Sequence, residues 1–232
     1  MDWIQELKEL YDAGIRKFYF CDDNFTLSEE LVDSLCDLII KSNMDIRWSA
    51  LSRVDTINQR MLYKMRRAGC ATLALGIESG LDDFHKRIKK TSLEDIKNAV
   101  RLIKEAGIKV RTTWIIGLGK TFEDEYNSLQ LIKELLPDQV SVHCLIPYPN
   151  TDAWDHPEKY NLVIDKKNMD WNVMNMTYSP ELLDYVHFKH ISKTEIMQLI
   201  SSTREELVEY GYNGMDREFQ SFLDKDVMRV IG

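Results

Sequence analysis

The chain has 232 residues, a net charge of −8, 44% hydrophobic residues and 10% aromatic residues. That is enough for one sizeable α/β domain with a small appendage, and too apolar for a disordered chain. An acidic balance disfavours nucleic acid as the main partner, and no apolar run approaches the about 20 residues that span a bilayer.

A leading helix (Trp3, Ile4, Leu7, Leu10, Tyr11) has an apolar face, but no strand precedes it. Five strand-like runs follow, each stopping at polar or turn-forming residues. Phe18 to Cys21 meets Asp22-Asp23-Asn24, and Ile46 to Leu51 meets Ser52-Arg53. Leu73 to Ile77 meets Glu78-Ser79-Gly80, Trp114 to Ile116 meets Gly117-Leu118-Gly119, and Val140 to Ile146 meets Pro147-Tyr148-Pro149. Helical periodicity fills the gaps, as in Leu31, Leu35, Leu38, Ile39 and in Leu93, Ile96, Val100, Ile103. Thr26-x-x-Glu29, Thr56-x-x-Gln59 and Thr91-x-x-Glu94 have capping-box spacing and predict helix starts. Gly14, Gly69 and Gly107 each follow an alanine and predict left-handed helix ends.

Strands alternating with helices predict a parallel sheet whose ligand site lies at the carboxyl ends of the strands. Residues 1–151 read as that domain. Residues 152–232 read as a mostly helical C-terminal subdomain packed on it, with helices near 192–210 and 215–229. The aromatic residues Trp154, Tyr160, Trp171 and Tyr178 are expected to hold this loop-rich part in place. His143, His187 and His190 lack an acidic or cysteine partner at ligand spacing and read as packing or surface residues. The basic stretch Lys86-Arg87 with Lys89-Lys90 reads as a solvated helix end.

Cys21, Cys36, Cys70 and Cys144 are scattered, with no disulfide, zinc or iron–sulfur spacing. With no secretory leader pattern at the start, they read as reduced thiols of a cytoplasmic protein. Gly119-Lys120-Thr121 invites a phosphate-loop reading. The glycine that motif requires five residues earlier is Trp114, so the match fails.

Taken in order, these strand ends resemble the radical S-adenosylmethionine enzymes, in the branch that often carries a cobalamin-binding domain. The resemblance covers about residues 2 to 155, and is strongest in Phe18–Phe25, Ile46–Asp55, Gly69–Gly80, Ala106–Gly117 and Pro147–Trp154. It implies a partial TIM-like (β/α) barrel and reductive cleavage of S-adenosylmethionine by an iron–sulfur cluster. The family's CxxxCxxC triplet does not occur here. The orphan leading helix sits where the family's first-unit helix would be and favours a chain that begins after the cluster loop, with cluster ligands outside it; a natural relative that lost the cluster is the other reading. Cobalamin would be a further cofactor held by a separate domain.

The resemblance also implies residue roles. Asp22, Asp23 and Asn24 would receive the methionine ammonium, and Ser52 with Arg53 would meet its carboxylate. Glu78 and Ser79 would contact the ribose, and Gly117 the adenine. The family's Gly-x-Pro-Gly-Glu-Thr appears here as Gly117-Leu118-Gly119-Lys120-Thr121, one residue shorter and without the proline or that glutamate. The substrate is a small molecule of unassigned class. A non-catalytic interaction module and a phosphate- or nucleotide-binding enzyme using Gly117–Thr121 stand as alternatives. The run at 18–21, left without a first strand, is expected to dimerise through its edge or to lie under the leading helix.

Overall fold

The computed structural model describes residues 3–174, 180–209 and 229–231. After α1 (Trp3–Asp12) come β1 (Lys17–Phe20), α2 (Glu29–Lys41), β2 (Arg47–Ser52), α3 (Gln59–Arg67) and β3 (Cys70–Glu78). A short α4 (Asp82–Phe84) runs into a π-helical turn over His85–Lys89. Then follow α5 (Leu93–Glu105), β4 (Lys109–Ile116), α6 (Phe122–Leu135) and β5 (Gln139–Cys144). Beyond them lie α7 (Asp152–Asp155), β6 (Leu162–Ile164), β7 (Val186–Phe188), α8 (Lys193–Glu209) and β8 (Arg229–Ile231).

The main sheet has the order β5-β4-β3-β2-β1-β8, and every pairing in it is parallel. Sequential order with a helix returning from each of β1 to β4 is the partial TIM-like barrel that the sequence predicts. It brings the carboxyl ends of all these strands to one rim. The edge of β1 is paired with β8 of the same chain, where a second copy or the leading helix was expected.

Alternation sets the two faces. On β4, Val110, Thr112, Trp114 and Ile116 are buried, and Val110, Trp114 and Ile116 join one core with Ile96, Ala99, Val100 and Ile103 of α5. On the other face Arg111 donates to Ser141 Oγ of β5 through Nε (3.2 Å) and Nη2 (2.6 Å). Burial raises the Tyr19 phenol pKa, Cys21 adds to the rise, and Arg111 opposes it. Tyr19 on β1 thus lies within electrostatic reach of β4, as the curl of a barrel wall allows.

The helix ends are where the glycines predict: Gly14, Gly69 and Gly107 have φ of +94°, +93° and +75°. The starts are displaced. Ser28 caps α2 by accepting from the Leu31 amide, Asn58 caps α3 by accepting from Met61, and Ser92 forms a capping box with Asp95. Thr26, Thr56 and Thr91 are not the caps, because 3₁₀ turns over Phe25–Leu27 and Val54–Thr56 and the π-helical turn intervene.

Within the C-terminal part, β6 and β7 form an antiparallel pair that the sequence did not predict. α8 packs against α6, where Lys133 pairs with Glu206. The helix expected near 215–229 falls outside the described residues, apart from Arg229, which is in β8. The Trp154 and Trp171 ring centroids are 5.7 Å apart, and Tyr160 donates to Asp152 (2.9 Å); Tyr178 lies outside the described residues. Among the described residues no helix is long and apolar enough to cross a membrane.

Candidate functional site

The rim is built from four strand ends. After β1, Asp22 and Asp23 are exposed, whereas Asn24 turns inward. Its Oδ1 accepts from the Arg53 amide (3.2 Å), from Thr26 Oγ1 (3.2 Å) and from Thr56 Oγ1 (3.3 Å). Thr26 Oγ1 also meets Thr56 Oγ1 at 2.6 Å and the hydroxyl of Ser52. Asn24 and Ser52 therefore stitch the end of β1 to the end of β2. The Asn24 Nδ2 group is buried without a partner among the described residues.

Arg53 makes the two-pronged contact its fork geometry suits, but with Asp55: Nε to Oδ1 and Nη2 to Oδ2, each 2.9 Å. This hydrogen bond is the main cause that raises the Arg53 pKa and the main one that holds the Asp55 carboxyl low. Nη2 also donates to the Lys89 carbonyl (3.1 Å). Lys89 in turn points its Nζ at Gly76 O (3.4 Å) and Glu78 Oε1 (3.5 Å). Lys86 and Arg87 are the solvated residues expected of that basic stretch, pairing with Asp82 and Asp83; Lys89 is not.

Glu78 closes β3 at a register shift against β4 and has φ +71°, in the left-handed region. Its side chain is only 20% exposed. Burial pushes its carboxyl pKa up, and the Lys89 ammonium partly opposes that. Ser79 faces away from the rim: it is buried, and its Oγ lies 3.2 Å from Ser128 Oγ of α6. Gly80 donates its amide to the same hydroxyl (3.0 Å), and a Cβ there would stand 2.7 Å from Ser128 Cα. The second glycine of Gly-Ile-Glu-Ser-Gly thus serves helix packing. Buried His85 lies 2.5 Å from the Ser79 carbonyl through Nε2 and 3.3 Å from Thr91 Oγ1 through Nδ1. A carbonyl only accepts, so Nε2 carries a proton and donates.

At the end of β4, Gly117 has φ +107°, and a Cβ on it would fall 2.1 Å from Cε1 of the Phe188 ring. Glu125 of α6, 2% exposed, accepts at Oε1 from the amides of Gly117 (3.0 Å) and Gly119 (2.8 Å). His190, its side chain 5% exposed, meets the same oxygen with Nε2 at 2.9 Å. Asp124 Oδ2 accepts from the amides of Lys120 (2.8 Å) and Thr121 (3.0 Å). A phosphate loop needs such amides for its anion. Here two carboxylates hold them and would repel one.

Contacts therefore link Asn24, Ser52, Arg53, Lys89 and Glu78 along one rim, with Gly117 at the next strand end. The sequence reading missed Asp55, Lys89, Glu125, Phe188 and His190. Glu125 alone carried a signal, because its spacing to Ser128, Leu129, Ile132 and Leu135 puts it on the buried face of α6.

The described residues do not fit an iron–sulfur cluster. No group of three or more His, Cys, Asp or Glu among them could hold a metal ion. Burial pushes the Cys36 and Cys144 thiols to about 12 and that of Cys70 well above its usual value, whereas a cluster ligand is a thiolate.

The family profile described as the Radical SAM superfamily matches residues 2–159. An uncharacterized methyltransferase of Pyrococcus horikoshii is 31% identical over 201 residues, covering 85% of this chain and 42% of that protein. The anaerobic magnesium-protoporphyrin IX monomethyl ester cyclase of Rubrivivax gelatinosus is 27% identical, covering 70% of this chain and 31% of the cyclase. The chain thus spans less than half the length of these curated relatives. Among solved structures, the radical S-adenosylmethionine methyltransferase TsrM of Kitasatospora setae, with cobalamin and a [4Fe-4S] cluster bound, superposes with a TM-score of 0.61 at 18% identity. It covers 72% of this chain and 36% of TsrM.

Proposed function

The chain belongs to the radical SAM superfamily, and from that premise we propose that it is the S-adenosylmethionine-holding barrel of a radical enzyme acting on a small molecule. In this reading the methionine end of the cosubstrate lies over the ends of β1 and β2, with Asp22, Asp23 and Asn24 toward its ammonium and Ser52 with Arg53 toward its carboxylate. The ribose meets Glu78 and Ser79, and the adenine meets the Gly117 loop.

One observation carries the reading: Glu78, a largely buried carboxylate held in a left-handed strand end between Arg53 and Gly117, with a 3.5 Å contact to Lys89. A carboxylate so placed can accept from both hydroxyls of a ribose. Several of the proposed contacts need rearrangement, since Asn24 Oδ1 and the Ser52 hydroxyl already bond within the rim. Arg53 must share or exchange Asp55, and Ser79 acts through its backbone, because its hydroxyl is engaged with Ser128. The chain's own residues bind and orient the cosubstrate and exclude water, while radical chemistry is the cofactors' contribution. Since the described residues do not fit the cluster, its ligands are assigned outside them. Cobalamin enters as the cofactor of a separate domain, supported by the cobalamin in the TsrM structure.

Calorimetric titration of S-adenosylmethionine and of ATP into wild type and Glu78→Ala tests this. Hydrogen bonds to a charged group contribute about 1.5–3 kcal/mol, so the substitution should weaken S-adenosylmethionine binding by about tenfold to a hundredfold. Tight ATP binding that ignores Glu78, with no uptake of S-adenosylmethionine, would overturn the proposal in favour of a nucleotide-binding enzyme.

A further inference from the structure

The geometry points to Glu125 as the positioning residue of the Gly117–Gly119 loop, and to Phe188 and His190 as its outer wall, so that residues 186–190 belong to the cosubstrate site. This inference rests on the reading of that loop as the adenine contact.

The loop is one residue shorter than the family pattern and has no proline to stiffen it. Its shape must come from elsewhere. Glu125 supplies it from α6, with a single oxygen accepting two loop amides, Gly117 and Gly119. A helical position facing a core ordinarily holds an apolar side chain, and the other buried positions of α6 include Leu129, Ile132 and Leu135. A carboxylate there is costly unless its acceptors are occupied. The two amides and His190 all converge on Oε1.

The same oxygen joins the C-terminal part to the rim. His190 follows β7 directly, and a carboxylate only accepts, so the 2.9 Å contact requires a proton on Nε2. Phe188, two residues earlier, lays its ring edge where a Cβ of Gly117 would stand. Glu125 also lies close enough to raise the thiol pKa of Cys144 at the end of β5, after burial itself. Helix α6, the end of β4 and the segment after β7 therefore meet at one carboxylate. Loosening it would free the loop and the wall together.

The test uses the 232-residue chain, amide hydrogen exchange at Gly117 and Gly119 read by NMR, and calorimetric binding of S-adenosylhomocysteine. Glu125→Leu removes the acceptor while suiting a buried helical position. It should speed exchange at both glycines by about a hundredfold and weaken binding by about tenfold. Glu125→Gln keeps an acceptor oxygen and should stay within about threefold of wild type in both readouts. A merely structural role would not separate these two variants in binding at equal thermal stability.

If Glu125→Leu fails to fold, His190→Leu decides. It keeps both glycine bonds, so exchange should remain slow while binding weakens by about threefold or more. Slow exchange in Glu125→Leu, or wild-type binding in either leucine variant, overturns the inference. If wild type binds no S-adenosylhomocysteine, the cosubstrate reading fails by itself, and the wall assignment falls with it. The exchange rates then still decide whether Glu125 sets the loop.

Discussion

Gly117→Ala tests how the C-terminal part is seated, and its cost divides into two parts that a second substitution separates. An L-residue at φ +107° pays about 1–2 kcal/mol in backbone energy. The new Cβ would also lie 2.1 Å from Cε1, 2.6 Å from Cζ and 2.9 Å from Cδ1 of Phe188. Carbon atoms rest about 3.5–4.0 Å apart, so the ring must retreat by more than an ångström, an overpacking worth about 1–3 kcal/mol. The single change should cost about 2–5 kcal/mol. Phe188→Ala empties a buried aromatic site and should cost about 3–5 kcal/mol. In the double variant the collision is gone and only the backbone cost remains. It should therefore lose about 4–7 kcal/mol, about 1–3 kcal/mol less than the sum of the singles. Urea unfolding of all four proteins, in an osmolyte that keeps the weakest folded, measures this. Additivity within about 0.5 kcal/mol would mean that the ring does not cover Gly117, and the seating of residues 186–190 described above would be wrong.

Ser128→Ala leaves the Gly80 amide unpaired and removes a partner of Ser79, so it should cost about 1–3 kcal/mol in urea unfolding; a change below about 0.5 kcal/mol contradicts that packing. Burial holds the His85 pKa below its usual 6.5, with the Ser79 carbonyl opposing and Lys89 assisting. A lowered folded-state value means that the unfolded chain takes up the proton first. The stabilisation is complete above 6.5 and is lost as pH falls through the folded value. His85→Gln should flatten that acid limb. Glu78 works in the opposite sense: its carboxyl is raised above 4.5, so its contribution is complete below 4.5 and is lost as pH rises through the folded value. Glu78→Gln should be the more stable protein at neutral pH, and equal stability there would refute the burial argument.

Strands and helix ends were legible because they rest on local chemistry. An apolar run with a polar stop needs no partner to be recognised, and Ala-Gly at 13–14, 68–69 and 106–107 marks a conformation that only the residue itself decides. Helix starts were less legible for a reason visible in Thr26 and Thr56. Both have the hydroxyl a cap needs, but Ser52 and Asn24 compete for it, and the chain takes a 3₁₀ turn before Ser28 and Asn58 begin the helices. The β6–β7 pair was invisible because each strand is only three residues long, and its partner lies beyond a long connection. In the site, Arg53 and Glu78 could be read from strand ends. Their actual partners, Asp55 and Lys89, come from a turn and a π-helical turn whose geometry no spacing rule supplies.

The rim also separates polar groups by what they already satisfy. Asn24 Oδ1, the Ser52 and Ser79 hydroxyls and the loop amides of Gly117 and Gly119 hold strand ends to one another or to α6. Such groups fix positions within the scaffold, and an incoming ligand would have to break an existing bond to use them. Asp22 and Asp23 are exposed, so water already satisfies them and a ligand gains little there. Glu78 differs from both sets. It is removed from water, its pKa is raised by that removal, and Lys89 at 3.5 Å compensates it only in part. A donor pair arriving on Glu78 recovers a desolvation cost that folding has already imposed, which is how binding free energy concentrates at one side chain. The ranking that follows is a physical one: Glu78 should dominate ligand affinity, Arg53 should matter less because Asp55 already answers it, and Asn24 and Ser79 should alter stability before they alter binding.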